Sequence, residues 1–99
     1  MRIKTHPGEI LLEEFLKPNN ITPHALALAI GVSSSRISEI TKCARSISAD
    51  TALRLARYFG TTPQFWLNLQ NAHALSLLEE KQEKTLERIV PFIERAEAL

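Results

Sequence analysis

The 99-residue sequence contains few of the residues on which common protein chemistries depend. Its single cysteine, Cys43, excludes an internal disulfide and fits a reducing compartment. Its three histidines lie far apart and form no HxxxH or HExxH spacing, and Cys43 lacks the surrounding signature of a catalytic Cys/His pair. Its three glycines form no phosphate-binding loop. The sequence therefore predicts no enzyme, no metal site and no cofactor.

Long hydrophobic runs are missing as well. No apolar stretch approaches the roughly 20 residues that a membrane helix needs, and the first residues lack the charged-then-apolar pattern of a secretory signal. Hydrophobic residues nevertheless make up 44% of the chain, which favours one compact domain with a modest core. We expect a cytoplasmic protein without a membrane partner.

The net charge is only +1, but it is unevenly distributed along the chain. Residues 1–60 contain eight Lys or Arg against five Asp or Glu, whereas residues 61–99 contain four against six. The first part is therefore basic and the second acidic. This division predicts that any polyanionic partner contacts the first part.

The sequence between residues 22 and 40, TPHALALAIGVSSSRISEI, predicts two short helices joined by a tight turn. Thr22 is suited to the N-cap of the first helix, and Pro23 to its first position. Gly31 is expected in the left-handed conformation that ends this helix, and Ser33 caps the second. With Ile37 and Ile40 facing inward, the pattern is typical of a helix-turn-helix motif, whose second helix lies in the DNA major groove.

Helical periodicity extends on both sides of this motif. One helix is expected to begin at Pro7 and to end before Pro18. Another follows the N-cap Ser48 and ends at Gly60. The predicted buried stripe of this second helix consists of Ala52, Leu53, Leu55, Ala56 and Phe59.

A longer helix beginning at Pro63 has apolar residues on several sides. A helix of this kind in so small a domain is expected to meet a second chain with part of its surface. We assign Phe65, Trp66 and Leu69 to core and dimer packing, since they alternate with leucines and not with basic residues. Residues 81–99 are expected to form a last helix, interrupted at Pro91.

The outward side of the second motif helix carries the predicted DNA contacts. We expect Arg36 to pair with guanine, and serine hydroxyls to contact bases or phosphates. Glu39 has two open interpretations, either accepting from cytosine or repelling phosphate. Lys42 and Arg45 follow the helix and are expected on the sugar-phosphate backbone. The complete set of predicted DNA-binding residues is Thr22, His24, Ser34, Ser35, Arg36, Ser38, Glu39, Lys42 and Arg45.

Two segments flanking the motif, HPGEILLEEFLKP and ADTALRLARYFGTTPQFWLNLQNA, make the chain resemble the HigA-type antitoxins of the XRE, or lambda-repressor-like, helix-turn-helix families. The resemblance extends from about His6 to Leu78. It implies an all-α domain of five core helices that forms a homodimer and represses its own promoter at a palindromic operator. It also implies a toxin partner, a HigB-type ribonuclease that cleaves mRNA.

The chain departs from the family in the turn after the second motif helix. Where the family usually has Asn-Gly followed by two basic residues, this sequence has Lys42-Cys43-Ala44-Arg45. We therefore expect Cys43 to adopt a left-handed or strained conformation and phosphate contact to be weaker.

The resulting domain assignment is a DNA-binding domain over residues 1–78, with the recognition helix at about 33–42, and a C-terminal helical extension over 79–99. Two other functions stay open. The chain could be a stand-alone XRE-family regulator without a toxin, or a protein-interaction module that uses the fold as a scaffold.

Overall fold

The computed structural model describes residues 4–93, and this part of the chain is entirely helical apart from turns and loops. The all-α fold expected from the sequence is therefore confirmed, with five core helices followed by a short extension. The elements are α1 (Pro7–Ile10), which continues directly into a π-helical segment (Leu11–Leu16), then α2 (Pro23–Ile30), α3 (Ser34–Thr41), α4 (Ala49–Phe59), α5 (Pro63–Lys81) and α6 (Glu83–Glu87).

The four central helices begin where the sequence predicts. The side-chain oxygens of Thr22, Ser33, Ser48 and Thr62 each accept a hydrogen bond from the backbone N–H three residues later, at 3.0 to 3.3 Å. Each of these bonds satisfies one N–H that a helix leaves unpaired in its first turn. Helix boundaries in this fold are thus determined largely by local chemistry.

The π-helical segment after α1 was not predicted. Its backbone follows the i to i+5 pattern, as in the bond from Lys17 N–H to the Leu12 carbonyl at 3.0 Å. Leu11 and Leu16, five residues apart, are both completely buried. In a regular α-helix these two side chains would diverge by roughly 140°, because each residue advances about 100°. The wider π turn brings both of them onto the core face.

The core lies among all five main helices, with Trp66 of α5 at its centre. Trp66 is completely buried, its indole N–H donates to the Thr61 hydroxyl at 2.8 Å, and its ring stacks near those of Phe15 and Phe59. The other buried apolar side chains are Leu11, Leu16, Leu26, Ala27, Ile30, Ile37, Ile40, Ile47, Ala52, Leu55 and Ala56.

Burial corrects two predictions. Leu53 is 60% exposed, because it lies one residue outside the i, i+3, i+4, i+7 stripe of Ala52, Leu55, Ala56 and Phe59. Trp66 has no exposed surface in its own chain, so it cannot serve as a dimer contact while this packing is kept. Phe65 is 37% exposed and Leu69 is half-buried, so both keep some surface for a second chain.

The C-terminal half of α5 and α6 extend away from the core. The molecule measures 60 Å along its longest axis and 22 Å along the other two. The predicted boundary between residues 78 and 79 lies inside α5, which continues to Lys81 without a break. The predicted helix over residues 81–99 is much shorter over its described part, because α6 ends at Glu87, and residues 94–99 lie outside the described range. Several apolar side chains here are exposed, namely Leu75, Leu78, Leu86, Ile89, Val90, Phe92 and Ile93.

None of the helices in residues 4–93 is both long enough and apolar enough to cross a membrane.

The segment before α1 is attached to α5 by a pair of histidines. His6 is the N-cap of α1, where its Nδ1 accepts from the Gly8 N–H at 2.8 Å. His73 Nδ1 donates to the Lys4 carbonyl at 2.7 Å, and the two imidazole rings meet edge to face with centroids 4.9 Å apart. Partial burial, and secondly the neighbouring His73, lower the pKa of His6 below its usual 6.5. Neutral His6 is therefore part of the folded structure.

We predict that the protein loses stability as the pH falls through the region below about 6.5. Because the pKa of His6 is lowered by folding, the unfolded chain takes up the proton first, so His6 contributes its stabilisation above that pH and loses it below. The measurement is the thermal midpoint from about pH 8 to about pH 5. His6→Asn keeps a capping acceptor without titrating, and it should flatten the profile. The control is His24→Asn, which replaces an exposed histidine. If the slope of the thermal midpoint against pH is unchanged in His6→Asn, His6 is not the group responsible.

Candidate nucleic-acid interface

Helices α2 and α3 form the predicted helix-turn-helix. Gly31 ends α2 with φ of 73°, the left-handed conformation expected for it, and Ser33 then caps α3. The small Ala27 is 1% exposed where the two helices cross, and Ile37 and Ile40 of α3 are completely buried. These inward residues fix which side of α3 faces water.

The opposite side of α3 carries a polar stripe. Ser35, Ser38, Glu39 and Lys42 follow the i, i+3, i+4, i+7 spacing and therefore share one face of the helix. We call these four residues the outer stripe. Ser34 is exposed beside it in the first turn. The outer stripe presents three kinds of hydrogen-bonding group, namely hydroxyl, carboxylate and ammonium, along one helix that is free of large apolar side chains on this side.

Arg36 does not belong to the outer stripe, contrary to the sequence expectation. It lies one residue after Ser35, roughly 100° around the helix. Its Nη1 donates to the Asp50 carboxylate of α4 at 2.8 Å and lies 3.5 Å from the Thr51 hydroxyl. In this structure the guanidinium of Arg36 is held against α4, and guanine recognition by Arg36 stays a prediction.

Arg45 also has an internal partner. Its Nε donates to the Glu39 carboxylate at 2.9 Å, so the charge of Arg45, predicted to contact the DNA backbone, is balanced within the protein by Glu39. Lys42 has no ion-pair partner within residues 4–93 and is exposed. Of the basic residues predicted to contact DNA, it is the one whose charge stays available on this face.

The amino ends of α2 and α3 lie next to each other. His24 Nδ1 of α2 and Ser34 Oγ of α3 are 3.2 Å apart, which connects the first turns of the two helices. A helix N-terminus carries partial positive charge and unpaired N–H groups, both suited to a phosphate oxygen. Thr22, whose hydroxyl already accepts from the Ala25 N–H, caps the first of these ends.

Asp50 connects α3 to α4 and was not singled out by the sequence analysis. Its carboxylate accepts from Arg36 of α3 and from Arg54 of α4, whose Nε lies 3.1 and 3.2 Å from the two oxygens. Hydrogen bonds from Arg36 and then Arg54 lower the pKa of Asp50 below its usual range. The i, i+4 spacing of Asp50 and Arg54 was visible in the sequence, whereas the bond to Arg36 depends on how α3 packs.

Cys43 has the left-handed conformation predicted for it, with φ of 62°. It terminates α3 in a Schellman arrangement, in which Cys43 N–H donates to the Ile40 carbonyl at 2.9 Å and Ala44 N–H to the Glu39 carbonyl at 2.8 Å. Glycine usually occupies this position because a Cβ is unfavourable there. The thiol is exposed, so no buried contact of Cys43 offsets the backbone cost.

We predict that Cys43→Gly stabilises the protein by about 1 kcal/mol, because the left-handed conformation costs a residue with a Cβ roughly 1–2 kcal/mol and the unfolded chain gains some freedom in return. Urea unfolding followed by circular dichroism measures the change. Ala44→Gly, at the next position and without a positive φ, is the matched control and should be neutral or destabilising. Equal effects of the two substitutions would contradict the conformational explanation.

Within residues 4–93, no group of three or more His, Cys, Asp or Glu side chains is arranged to hold a metal ion.

Fold and surface together define a helix-turn-helix domain of the DNA-binding class.

Comparison with known proteins places the chain within this class. A family profile described as helix-turn-helix matches residues 12–66. Virulence-associated protein I of Dichelobacter nodosus is 54% identical over 87 residues, which cover 88% of this chain and 80% of that protein. The chain belongs to the helix-turn-helix family.

Solved structures of HigA proteins have the same fold. An addiction module antidote protein of a HigA family from Coxiella burnetii matches with a TM-score of 0.86 and 43% identity, over 92% of this chain and 100% of that one. The antitoxin HigA of Pseudomonas aeruginosa, solved with the higBA promoter, matches with a TM-score of 0.85 and 45% identity, over 89% and 97% of the two chains. The resemblance to HigA-type antitoxins seen in the sequence is thereby confirmed.

Proposed function

We propose that this chain is a cytoplasmic, non-catalytic transcriptional repressor and antitoxin that binds a palindromic operator in its own promoter. The observation that carries the proposal is the outer stripe, a polar face of α3 held outward by the buried Ile37 and Ile40. The solved HigA relative bound to its promoter supports the same use of the fold.

In this function α3 enters the major groove with Ser35 and Ser38 toward the base edges. A serine hydroxyl both donates and accepts, so it can contact several bases or a phosphate. The adjacent amino ends of α2 and α3, with Thr22, His24 and Ser34, are placed for phosphate oxygens on one side of the groove. Lys42 supplies a charged phosphate contact at the other end of α3.

A homodimer would place two such helices on one face of the duplex. Half-sites read by two helices related by a two-fold axis lie about 34–36 Å apart, one turn of DNA. We propose α5 as the dimer surface, through the partly exposed Phe65 and Leu69 and the exposed Leu75 and Leu78. Apolar side chains exposed along one long helix favour burial against a second chain.

The first test is binding of the purified chain to the DNA upstream of its own gene, with Lys42→Ala as the diagnostic variant. A lysine that contacts phosphate should weaken binding to all duplexes about equally, and its loss should reduce the slope of log K against log salt by about 1.

Lys84→Ala, on the protruding α6, removes the same charge away from the outer stripe and is the control. Wild-type protein with no preference for its upstream DNA over a scrambled duplex would refute the proposed repressor. An unchanged salt slope in Lys42→Ala would remove Lys42 from the interface.

The antitoxin role has a separate test, which is co-expression with the neighbouring open reading frame. We expect that neighbour to encode a small basic ribonuclease of the HigB type, whose growth inhibition this chain relieves by forming a stable complex. Mass measurement of the purified complex gives the stoichiometry. Operator binding without a toxic neighbour would instead favour the stand-alone regulator, and a stable protein complex without any DNA binding would favour the scaffold function.

A further inference from the structure

We propose that Asp50 is a positioning residue for operator recognition, which acts through Arg36 to set the orientation of α3. The inference rests on the proposed function and assigns a role to a residue outside the recognition helix. It also gives Arg36 a role other than reading a base.

The ion pairs around Asp50 join α3 to α4. Arg36 Nη1 lies 2.8 Å from Asp50 Oδ2, and Arg54 Nε approaches both oxygens of the same carboxylate. Both arginines are partly exposed, and Asp50 more so. Two charge-assisted bonds on one carboxylate restrict all three side chains more than an isolated surface pair would.

The same network reaches the turn of the motif. Arg54 Nη1 donates to the Ile30 carbonyl at 2.7 Å and to the Gly31 carbonyl at 3.3 Å, at the end of α2. These carbonyls are among those that a helix C-terminus leaves unpaired, and a cation there also complements the helix dipole. Asp50 therefore binds two arginines. Arg54 also donates to the carbonyls at the α2–α3 turn, and Arg36 belongs to α3 itself.

Helix α3 is anchored by its buried Ile37 and Ile40, and the network adds a polar contact on the side that faces α4. Helix α3 packs mainly on α2 and also on α1, and its direct contact with α4 is sparse at most. The Arg36–Asp50 bond adds a side-chain link between α3 and α4 that opposes rotation of α3 about its own axis. Such a rotation would move Ser35 and Ser38 sideways in the groove, and hydrogen bonds to base edges tolerate only a few tenths of an ångström.

An electrostatic role and a positioning role of Asp50 predict opposite changes in operator affinity when its carboxylate is removed. Asp50→Asn removes a negative charge near the DNA-facing surface and frees two guanidinium groups, so electrostatics alone predicts tighter binding to any duplex. If Asp50 positions α3, the same substitution weakens binding to the operator and leaves binding to a scrambled duplex unchanged or tighter. The ratio of the two affinities is therefore the informative quantity.

The experiment measures the affinities of the full chain for its upstream DNA and for a scrambled duplex at fixed salt. We expect Asp50→Asn to lower the ratio of operator to scrambled affinity at least about fivefold, the scale of coupling within a charged network. Glu13→Gln is the matched control, because Glu13 is an exposed carboxylate that accepts from Lys17 at 2.8 Å on another face of the domain. It should leave the ratio unchanged.

A double-mutant comparison tests whether Asp50 acts through Arg36. Arg36→Gln should lower the affinity ratio to a similar extent, and the double variant should be no worse than either single one. Asp50→Glu keeps the carboxylate and should recover part of the ratio. Additive losses would show that Arg36 contacts DNA on its own and would overturn the proposed link.

Two measurements separate the possible failures. Circular dichroism melts of every variant show whether the domain stays folded, so that lost binding is not mistaken for unfolding. If Asp50→Asn does not fold, Arg36→Gln breaks the same ion pair and takes its place. If wild-type protein fails to select its upstream DNA, the proposed function fails before Asp50 is tested. If wild type selects the operator and Asp50→Asn keeps the wild-type ratio of operator to scrambled affinity, the positioning role alone is refuted.

Discussion

The close packing of α2 against α3 is the contact on which the surface proposed to bind DNA depends. Ala27 is small enough to let the two helices cross closely, and Ile37 and Ile40 anchor α3 from beneath. The inward residues of α3 thereby determine its outward ones, because both stripes belong to one rigid helix. A larger side chain at Ala27 would have to be accommodated by moving α3, and with it the outer stripe proposed to contact DNA.

Internal ion pairs limit the positive charge of the surface proposed to bind DNA. Arg36 and Arg54 share Asp50, and Arg45 pairs with Glu39, so three guanidinium groups are at least partly neutralised within the protein. Attraction to phosphate is then limited, and a larger share of recognition is left to hydrogen bonds and helix dipoles. Such a balance disfavours binding to arbitrary DNA, which competes with any operator in large excess.

Local chemistry was predictable from the sequence, whereas orientation was not. The caps Thr22 and Ser33, the left-handed Gly31 and Cys43, and the outer stripe all depend on neighbours within a few residues. The direction of the Arg36 side chain depends on Asp50 of α4, which is fourteen residues away in the sequence. A long side chain on the flank of α3 can reach either α4 or the solvent, and local sequence does not distinguish the two. The π turn between Leu11 and Leu16 was missed because spacing by five resembles no regular pattern. Trp66 was correctly assigned to the core, but its dimer role was wrong, because apolar residues on several sides of its helix do not show which side faces inward.

The protruding end of α5 has a hydrodynamic consequence. A radius of gyration of 17.7 Å exceeds the roughly 13 Å of a compact domain with about 100 residues. An elongated particle experiences more friction than a sphere of equal mass, so this chain should sediment slowly and elute early from a sizing column. Its apparent mass from elution volume would then mimic that of a larger assembly, and subunit number is better taken from light scattering, which depends on mass and not on shape.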